Sequence, residues 1–174
     1  MTPVKFASAY PLLIDWISST LRQHAHDAQP VASFGFPRLH HYYGPQFLTA
    51  AKAIIVDRVP VPPLTAIGLG EFSEMERGGF DGITFLDSYF ITRRECSNES
   101  LHFHELIHVV QWQLLGPERF LAMYADGLER CGYRNSPLEV MAYDAQARFD
   151  RGDVFDAQAQ VAEYLRTTQE APRH

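Results

Sequence analysis

The stretch His104-Glu105-Leu106-Ile107-His108 is the segment that decides how the rest of the chain is interpreted. Residues on an α-helix advance by about 100° each, so two histidines four positions apart lie on one face, where both imidazoles can reach one metal ion. Glu105 projects beside them, in the position of a general base. With 8 histidines in 174 residues, chance placement gives roughly 0.02 matches to this pattern. The spacing therefore predicts a helix that carries a metal site.

Residues at both ends mark the limits of this helix. Ser97 and Asn98 are candidate N-caps and Gly116-Pro117 closes the run, which predicts a helix over about residues 98–115. Buried histidines and a buried glutamate are costly unless they are paired or bind a metal, so a core position favours a zinc site. Apolar residues cover most of the circumference, as is typical of a core helix, namely Leu101, Ile107, Val109, Val110, Trp112, Leu114 and Leu115.

Composition and charge restrict the class of protein. The chain is 46% hydrophobic and long enough to bury a full core, so we expect one domain over residues 1–174. The formal net charge of −6 and the lack of a Lys/Arg cluster argue against nucleic acid and acidic membranes as partners. Residues 1–11 lack an apolar leader pattern, and no apolar run is long enough to span a membrane. We therefore expect a cytoplasmic protein; these patterns do not indicate its oligomeric state.

Periodicity and turn residues elsewhere predict an α+β fold. Apolar residues at helical spacing predict an N-terminal amphipathic helix, and alternating or continuous apolar runs predict short strands. In chain order we expect a helix over 10–28, a short helix opened by Pro45, a strand over 53–59, a second short strand over 66–70, a polar loop over 71–82, a strand or hairpin over 82–92, and, after the zinc helix, helices over 117–130, 137–149 and 153–168.

A catalytic zinc site needs a third protein ligand and an open fourth position. The metzincin pattern requires a glycine and a histidine where this chain has Gln111 and Leu114, which excludes that class. An acidic ligand is expected instead, because no histidine follows His108 until His174. The candidates are Glu118, Asp126, Glu129 and Glu139.

Glu139 is our first choice among these carboxylates, and Glu129 is the second. Ser136-x-x-Glu139 also forms a capping box, in which the glutamate only bonds back to the N-cap amide, and helix signals alone favour the two interpretations equally. Glu129 lies near the end of its predicted helix, where Asp126 and Arg130 indicate an exposed terminus.

The motif at residues 104–111, followed by Ser136-Pro137-Leu138-Glu139-Val140-Met141-Ala142-Tyr143, resembles the gluzincin zinc metallopeptidases. Over roughly residues 80–150 it resembles in particular the minigluzincins and the related metallopeptidase-like domains found with extracellular contractile injection systems. This resemblance implies a zincin-like fold, with a small mixed or antiparallel sheet, a buried zinc helix and C-terminal helices. It also implies peptide-bond hydrolysis on a peptide or protein substrate, with His104, His108 and Glu139 as zinc ligands and Glu105 as catalytic base. Ala142 is then the small residue that lets two helices approach.

One position departs from the gluzincin pattern. Many gluzincins have Asp or Asn four residues after the ligand glutamate, where it orients a zinc histidine, but this chain has Tyr143 there and Asp144 next. Tyr143 is one turn from Glu139, so its hydroxyl can bond a ligand or stabilise the oxyanion of a tetrahedral intermediate. The alternative is a core tyrosine. His102 projects from the opposite side of the helix, and we expect it to be exposed or to bond a neighbour.

A second class of function has to be weighed against the enzyme. A zincin-like fold can serve as a non-catalytic binding or interaction module that zinc merely stabilises. Retention of Glu105 argues against this alternative, because a structural zinc site has no use for a general base and normally closes its fourth position.

Overall fold

The computed structural model describes residues 3–170 of the chain, which form a mixed α+β arrangement. This agrees with the fold class expected from the sequence. Within the described range the helices are α1 (Pro3–Gln23), α2 (Pro45–Ala50), α3 (Ser73–Glu76), α4 (Glu99–Cys131), α5 (Pro137–Arg151) and α6 (Ala157–Glu170). The strands are β1 (Gln29–Pro30), β2 (Lys52–Val56), β3 (Gly82–Phe85) and β4 (Ser88–Thr92).

The four strands form one mixed sheet in the order β1-β2-β4-β3. Strands β2 and β4 pair in parallel, and the other two pairs are antiparallel. The expected hairpin over 82–92 is confirmed as β3 and β4, with Leu86 in the left-handed region at the turn (φ 60°). Strand β1 was missed because two residues, one of them Pro30, carry no recognisable alternation. In this order β3 is an edge strand, and it lies beside the motif helix.

Helix α4 contains both the predicted zinc helix and the predicted helix after Pro117. Asn98 caps its start, accepting a hydrogen bond from the Leu101 amide at 3.2 Å. Gly116 interrupts the helical backbone with φ 73° and ψ 164°, a conformation that favours glycine. The break expected at Gly116-Pro117 is therefore confirmed, and α4 consists of a first segment over 99–115 and a second segment over 117–131.

Several predicted limits differ from the structure. Helix α1 begins at Pro3 and ends at Gln23, because residues 24–27 form turns in which the Asp27 amide donates to His24 O. The strand expected over 66–70 is wrong: the chain there forms turns, since the Leu69 amide donates back to Leu64 O instead of to a neighbouring strand. The polar loop over 71–82 contains the short helix α3.

The last two helices are placed close to expectation. Helix α5 begins at Pro137 and ends where Gly152 adopts a left-handed conformation. Helix α6 begins later than predicted, because Asp156 rather than Asp153 accepts from a first-turn amide, that of Ala159 at 2.9 Å.

The first segment of α4 lies at the centre of the molecule, between the sheet and α5. Every residue from His102 to Trp112 is buried. Ala142 and Ala145 on α5 are fully buried, which is consistent with small residues that allow α4 and α5 to approach. In the part of the chain that the structure describes, no helix combines the length and apolar character that crossing a membrane requires. The motif therefore occupies the core of the domain.

Candidate metal centre

Two helices bring three side chains of the predicted site together. The first segment of α4 supplies His104 and His108, one turn apart, and the first turn of α5 supplies Glu139. The Nε2 atoms of the histidines are 3.1 Å apart, and the Glu139 carboxylate lies 3.5 Å from His104 Nε2 and 3.4 Å from His108 Nε2. All three residues are at most 5% exposed. This buried cluster could hold a metal ion, since its ligand atoms lie within 4.8 Å of one another.

The surroundings of the Glu139 carboxylate indicate whether a cation fits this site. Its Oε2 atom is buried and has no hydrogen-bond partner, although it is 3.5 Å from His104 Nε2. The capping-box alternative is not formed, because Ser136 makes no side-chain capping bond and its hydroxyl also lacks a partner. An unsatisfied buried carboxylate oxygen is costly, and a metal ion between it and the imidazoles would remove that cost. The donor set therefore fits a divalent metal.

The Glu139 carboxylate and the neighbouring histidines shift one another's pKa. Burial alone would lower the pKa of His108, but the Glu139 carboxylate beside it raises this pKa to about 9. Burial would raise the pKa of Glu139, whereas His108 and His104 hold it well below its usual value of 4.5. Glu139 is thus an anion in the core that requires a positive partner, either a protonated imidazole or a metal ion.

Two glutamines orient the histidines. The Nδ1 of His104 donates to Gln146 Oε1 at 3.1 Å, and Gln146 in turn donates to Ser100 Oγ at 2.9 Å. The Nδ1 of His108 donates to Gln111 Oε1 at 2.8 Å, and Gln111 Nε2 donates to Leu138 O at 3.0 Å. With each Nδ1 bonded to a glutamine oxygen, each Nε2 is the nitrogen that faces Glu139. In the neutral form of each ring this arrangement leaves the Nε2 lone pair for a metal ion, which is the tautomer a metal ligand needs.

These partners were missed in the sequence. The gluzincin pattern leaves the orienting residue open, with Tyr143 at the expected position and Asp144 next to it. Asp144 is exposed, and Gln146 makes the contact with His104. Gln146 is seven residues after Glu139 and so lies on the same face of α5. That spacing is the one signal by which it could have been found.

Tyr124 holds Glu139, the candidate third ligand. Its hydroxyl donates to Glu139 Oε1 at 2.8 Å. Tyr124 belongs to the second segment of α4, which passes close to the start of α5 at Gly127. A Cβ at Gly127 would lie 2.9 Å from Ser136 Cβ and from Pro137 Cδ, so a glycine is needed for this approach. The break at Gly116 and the glycine at 127 together place this hydroxyl in the site.

Strand β3 holds Glu105 from the side opposite α5. The Thr84 hydroxyl donates to Glu105 Oε2 at 2.6 Å, and Trp112 Nε1 donates to Thr84 O at 3.2 Å, which fixes the strand to α4. A Cβ at Gly82 would lie only 2.1 Å from Glu105 Oε1. Burial raises the pKa of Glu105, although both neighbouring histidines act to lower it. Glu105 is therefore a buried, positioned carboxylate beside the three-residue cluster.

Two other residues considered for the site, Tyr143 and Glu129, are not members of the three-residue cluster. Tyr143 is half-buried, and its ring centroid is 4.7 Å from that of His104. Burial, and then the Glu139 charge, raise the pKa of Tyr143, so its hydroxyl is protonated at neutral pH. Glu129 is exposed and lies outside the cluster.

His102 is a structural residue. It is fully buried, with Nδ1 2.5 Å from the Tyr89 hydroxyl and Nε2 3.0 Å from Cys96 O. Burial lowers the pKa of His102 to about 4, so the ring is neutral. The expectation that it is exposed is wrong, and the alternative, a hydrogen-bond partner of a neighbour, is confirmed.

Comparisons with known proteins identify no relative of this chain. No protein-family model, curated protein or solved structure matches the chain.

Proposed function

We propose that this chain is a zinc-dependent peptide-bond hydrolase of gluzincin type with a zincin-like fold. The observation that supports this most strongly is the position of Glu105. It is a buried carboxylate, held by Thr84 and packed against Gly82, directly beside the cluster formed by His104, His108 and Glu139. A general base placed next to a metal centre is what hydrolysis requires.

The ligand set is that of a catalytic zinc site. Two histidines and one glutamate are one of the donor sets that leave a fourth position for water or substrate, and the cluster has these three members among the residues that the structure describes. Zinc held by His104, His108 and Glu139 would lower the pKa of water towards ~7 and polarise a substrate carbonyl.

The protein residues supply binding and proton transfer. Glu105 accepts a proton from the attacking water on a carboxylate oxygen and later delivers it to the leaving amine. Thr84 holds Glu105 Oε2 throughout, which keeps the carboxylate aimed at the site. We assign the hydroxyl groups of Tyr143 and Tyr133 to stabilising the oxyanion, because both side chains lie at the site and their raised pKa values keep them protonated.

Strand β3 is suited to bind an extended substrate. It pairs with β4 on one side and is the last strand of the sheet on the other. Its residues Gly82 and Thr84 contact Glu105, so a peptide added along the free edge would pass close to the base.

Substitution of the base tests this function. Glu105→Gln should retain the fold and the zinc while lowering the rate of peptide hydrolysis by about 10²–10⁴-fold, because an amide cannot accept the proton. The assay combines zinc analysis with cleavage of a broad peptide library by wild type and variant. Equal activity in both removes Glu105 from the mechanism. If fully zinc-loaded wild type cleaves nothing in the library, the proposal gives way to a non-catalytic zinc-stabilised module.

A further inference from the structure

A surface pocket lies at the end of the sheet where β2 and β4 finish. We call it the arginine pocket; it measures about 710 Å³, and its lining includes Asp57, Arg58, Phe80, Arg93 and Arg94. Because β2 and β4 run parallel, the residues that follow them meet at the same end of the sheet. The residues that precede β3 lie at this end too, since β3 runs antiparallel to β4. The topology thus brings Arg58 together with Arg93 and Arg94.

The arginine pocket adjoins the candidate metal centre. Phe80 forms part of its wall and also part of the wall of the cavity that Glu105, His108 and Glu139 help to line. The ring of Phe80 packs against that of Tyr133, with the ring centroids 5.2 Å apart. A molecule bound at the metal centre therefore reaches the arginine pocket by passing one side chain, that of Phe80.

The charges around the pocket leave one arginine without a carboxylate. Arg93 Nε pairs with Asp57 Oδ1 at 3.0 Å, and Arg94 Nη2 pairs with Asp81 Oδ1 at 2.6 Å. Arg58 has no carboxylate partner among the residues that the structure describes. Three arginines against two aspartates leave one excess positive charge, in a chain whose formal net charge is −6.

The backbone at residues 77–78 positions the Arg58 guanidinium. Its Nη2 atom donates to Arg77 O at 3.5 Å. A Cβ at Gly78 would lie 3.2 Å from the same Nη2 atom, and Gly78 has a φ of 69°, so the glycine suits both the turn and the close approach. A guanidinium has five N–H donors, and one carbonyl oxygen occupies only one of them. Arg58 is thus held in place with donors left for a ligand.

A carboxylate is the anion that matches this pocket. Guanidinium groups bind carboxylates and phosphates through two parallel hydrogen bonds. The single excess positive charge balances one carboxylate. A phosphate group, with close to two negative charges, would be repelled by Asp57 and Asp81 beside it. In a peptide the matching groups are the side chains of aspartate and glutamate.

The spacing along β3 gives the position of this carboxylate in a substrate. Gly82, at the start of β3, is the strand residue that lies against Glu105. Phe80 and Gly79 precede it by two and three residues and line the arginine pocket. An extended chain rises about 3.3 Å per residue, so a peptide along the free edge of β3 keeps step with the strand. With its cleaved bond beside Glu105, such a peptide has a residue at the arginine pocket two or three positions from that bond.

We infer that the substrate carries an aspartate or glutamate two or three residues from the bond that is cleaved, and that its carboxylate binds Arg58 in the arginine pocket. The inference rests on the proposed function, because it names the substrate class of the same site. The overall charge predicts the opposite preference, since a chain with a formal net charge of −6 and with Glu105 and Glu139 at its site repels acidic peptides. A preference for acidic peptides therefore requires a local positive group.

Peptides that differ in one side chain measure this preference in the zinc-loaded protein. The best-cleaved library peptide is prepared with Glu, Gln or Lys at two and at three residues from the cleaved bond, on either side. At one of these positions we expect kcat/KM for the Glu peptide to exceed that for the Gln peptide by about 3–5-fold, the scale of an exposed ion pair. The difference should lie in KM, because the carboxylate is remote from the reacting atoms, and should shrink at high salt.

A matched pair of variants tests the assignment to Arg58. Arg58→Gln removes the positive charge from the pocket, whereas Arg77→Gln removes the same charge from a side chain of the same segment outside the pocket lining. Both side chains are exposed, so neither substitution should disturb folding. Arg77→Gln should keep the wild-type ratio of Glu to Gln cleavage, and Arg58→Gln should bring it to about 1 or below. Arg58→Glu should favour the Lys peptide, and Arg58→Lys should keep part of the wild-type preference.

A binding measurement provides a second result that does not depend on turnover. In zinc-loaded Glu105→Gln, isothermal titration calorimetry should give a Kd for the Glu peptide about 3–5-fold below that for the Gln peptide. The two Kd values should become equal when Arg58→Gln is added and should stay different when Arg77→Gln is added instead. Equal Kd values for the two peptides in Glu105→Gln alone would overturn the inference.

The outcomes separate this inference from the proposed function. If wild type cleaves the Glu and Gln peptides equally well, or if Arg77→Gln loses the preference as completely as Arg58→Gln, the inference is wrong and the hydrolase stands. If zinc-loaded wild type cleaves no peptide, the proposed function itself fails and the acidic peptide substrate fails with it.

Discussion

Gly82→Ala is the substitution whose effect follows most directly from the site geometry. Gly82 does not have a positive φ, so an alanine there is not strained by its backbone conformation. What the position requires is space. An added Cβ would lie 2.1 Å from Glu105 Oε1, 2.7 Å from its Cδ and 3.0 Å from its Cγ, whereas ordinary contact begins at 3.4 Å.

The size of the effect can be worked from these distances. The contact with Oε1 is shorter than an ordinary one by about 1.3 Å, so either the carboxylate or strand β3 must move by about that distance. The Thr84 hydroxyl holds the Glu105 carboxylate at 2.6 Å, so moving the carboxylate breaks this buried hydrogen bond. A displacement of about 1 Å in a catalytic group can lower the rate by about 10²-fold. We therefore expect Gly82→Ala to lower kcat by about 10²-fold while zinc binding is retained, since the three atoms nearest to the new methyl group all belong to Glu105.

The assay measures zinc content and peptide cleavage in parallel, with Gly70→Ala as the control. An added Cβ at Gly70 has no atom within 4 Å and meets open space. Gly70→Ala should therefore keep both zinc and activity. Wild-type turnover in Gly82→Ala would show that the position of Glu105 does not govern the chemistry, and loss of zinc would show that β3 supports the ligands as well as the base.

Three further outcomes are expected. Glu139→Ala should lower zinc affinity by about 10–100-fold or more, measured by competition with a chelator, while Glu129→Ala should change it little, because Glu129 is exposed and outside the cluster. Tyr124→Phe should lower zinc affinity by about 10-fold, because it removes the hydroxyl that holds Glu139 Oε1. Gln146→Leu should lower zinc affinity by about 10-fold or more, because His104 then loses the acceptor that fixes its tautomer.

A specific result would contradict each of these three predictions. A larger loss of zinc in Glu129→Ala than in Glu139→Ala would exchange the two assignments. Unchanged affinity in Tyr124→Phe would mean that the packing of α5, and not this hydroxyl, positions the carboxylate. Unchanged affinity in Gln146→Leu would mean that His104 needs no partner at Nδ1.

The motif helix could be predicted because the information is local. The spacing of His104 and His108, the cap at Asn98 and the glycine at 116 act within one or two turns, and the structure has each of them where the sequence places it. The hairpin of β3 and β4 and the limits of α5 follow for the same reason, from residues that determine their own turn or cap.

The role of Glu139, the candidate third ligand, could not be decided from neighbouring residues in the sequence. Glu139 satisfies the pattern of a capping box and the pattern of a metal ligand equally well, and which one forms depends on where α5 lies against α4. Gln146, Tyr124 and Gly82 were not identified for the same reason, because each acts on a residue at least 15 positions away. The strand wrongly expected over 66–70 had apolar residues but no neighbouring strand to pair with, which the sequence of that segment cannot reveal.

Zinc in the site is the central claim, and diffraction at the zinc absorption edge tests it most directly. Crystals of protein purified without chelator should show one anomalous peak per chain, at about 2.0–2.2 Å from His104 Nε2, His108 Nε2 and a carboxylate oxygen of Glu139. Elemental analysis of the same protein should give about one equivalent of zinc. A peak at other residues, or less than about a tenth of an equivalent with no recovery on adding zinc, would contradict the account.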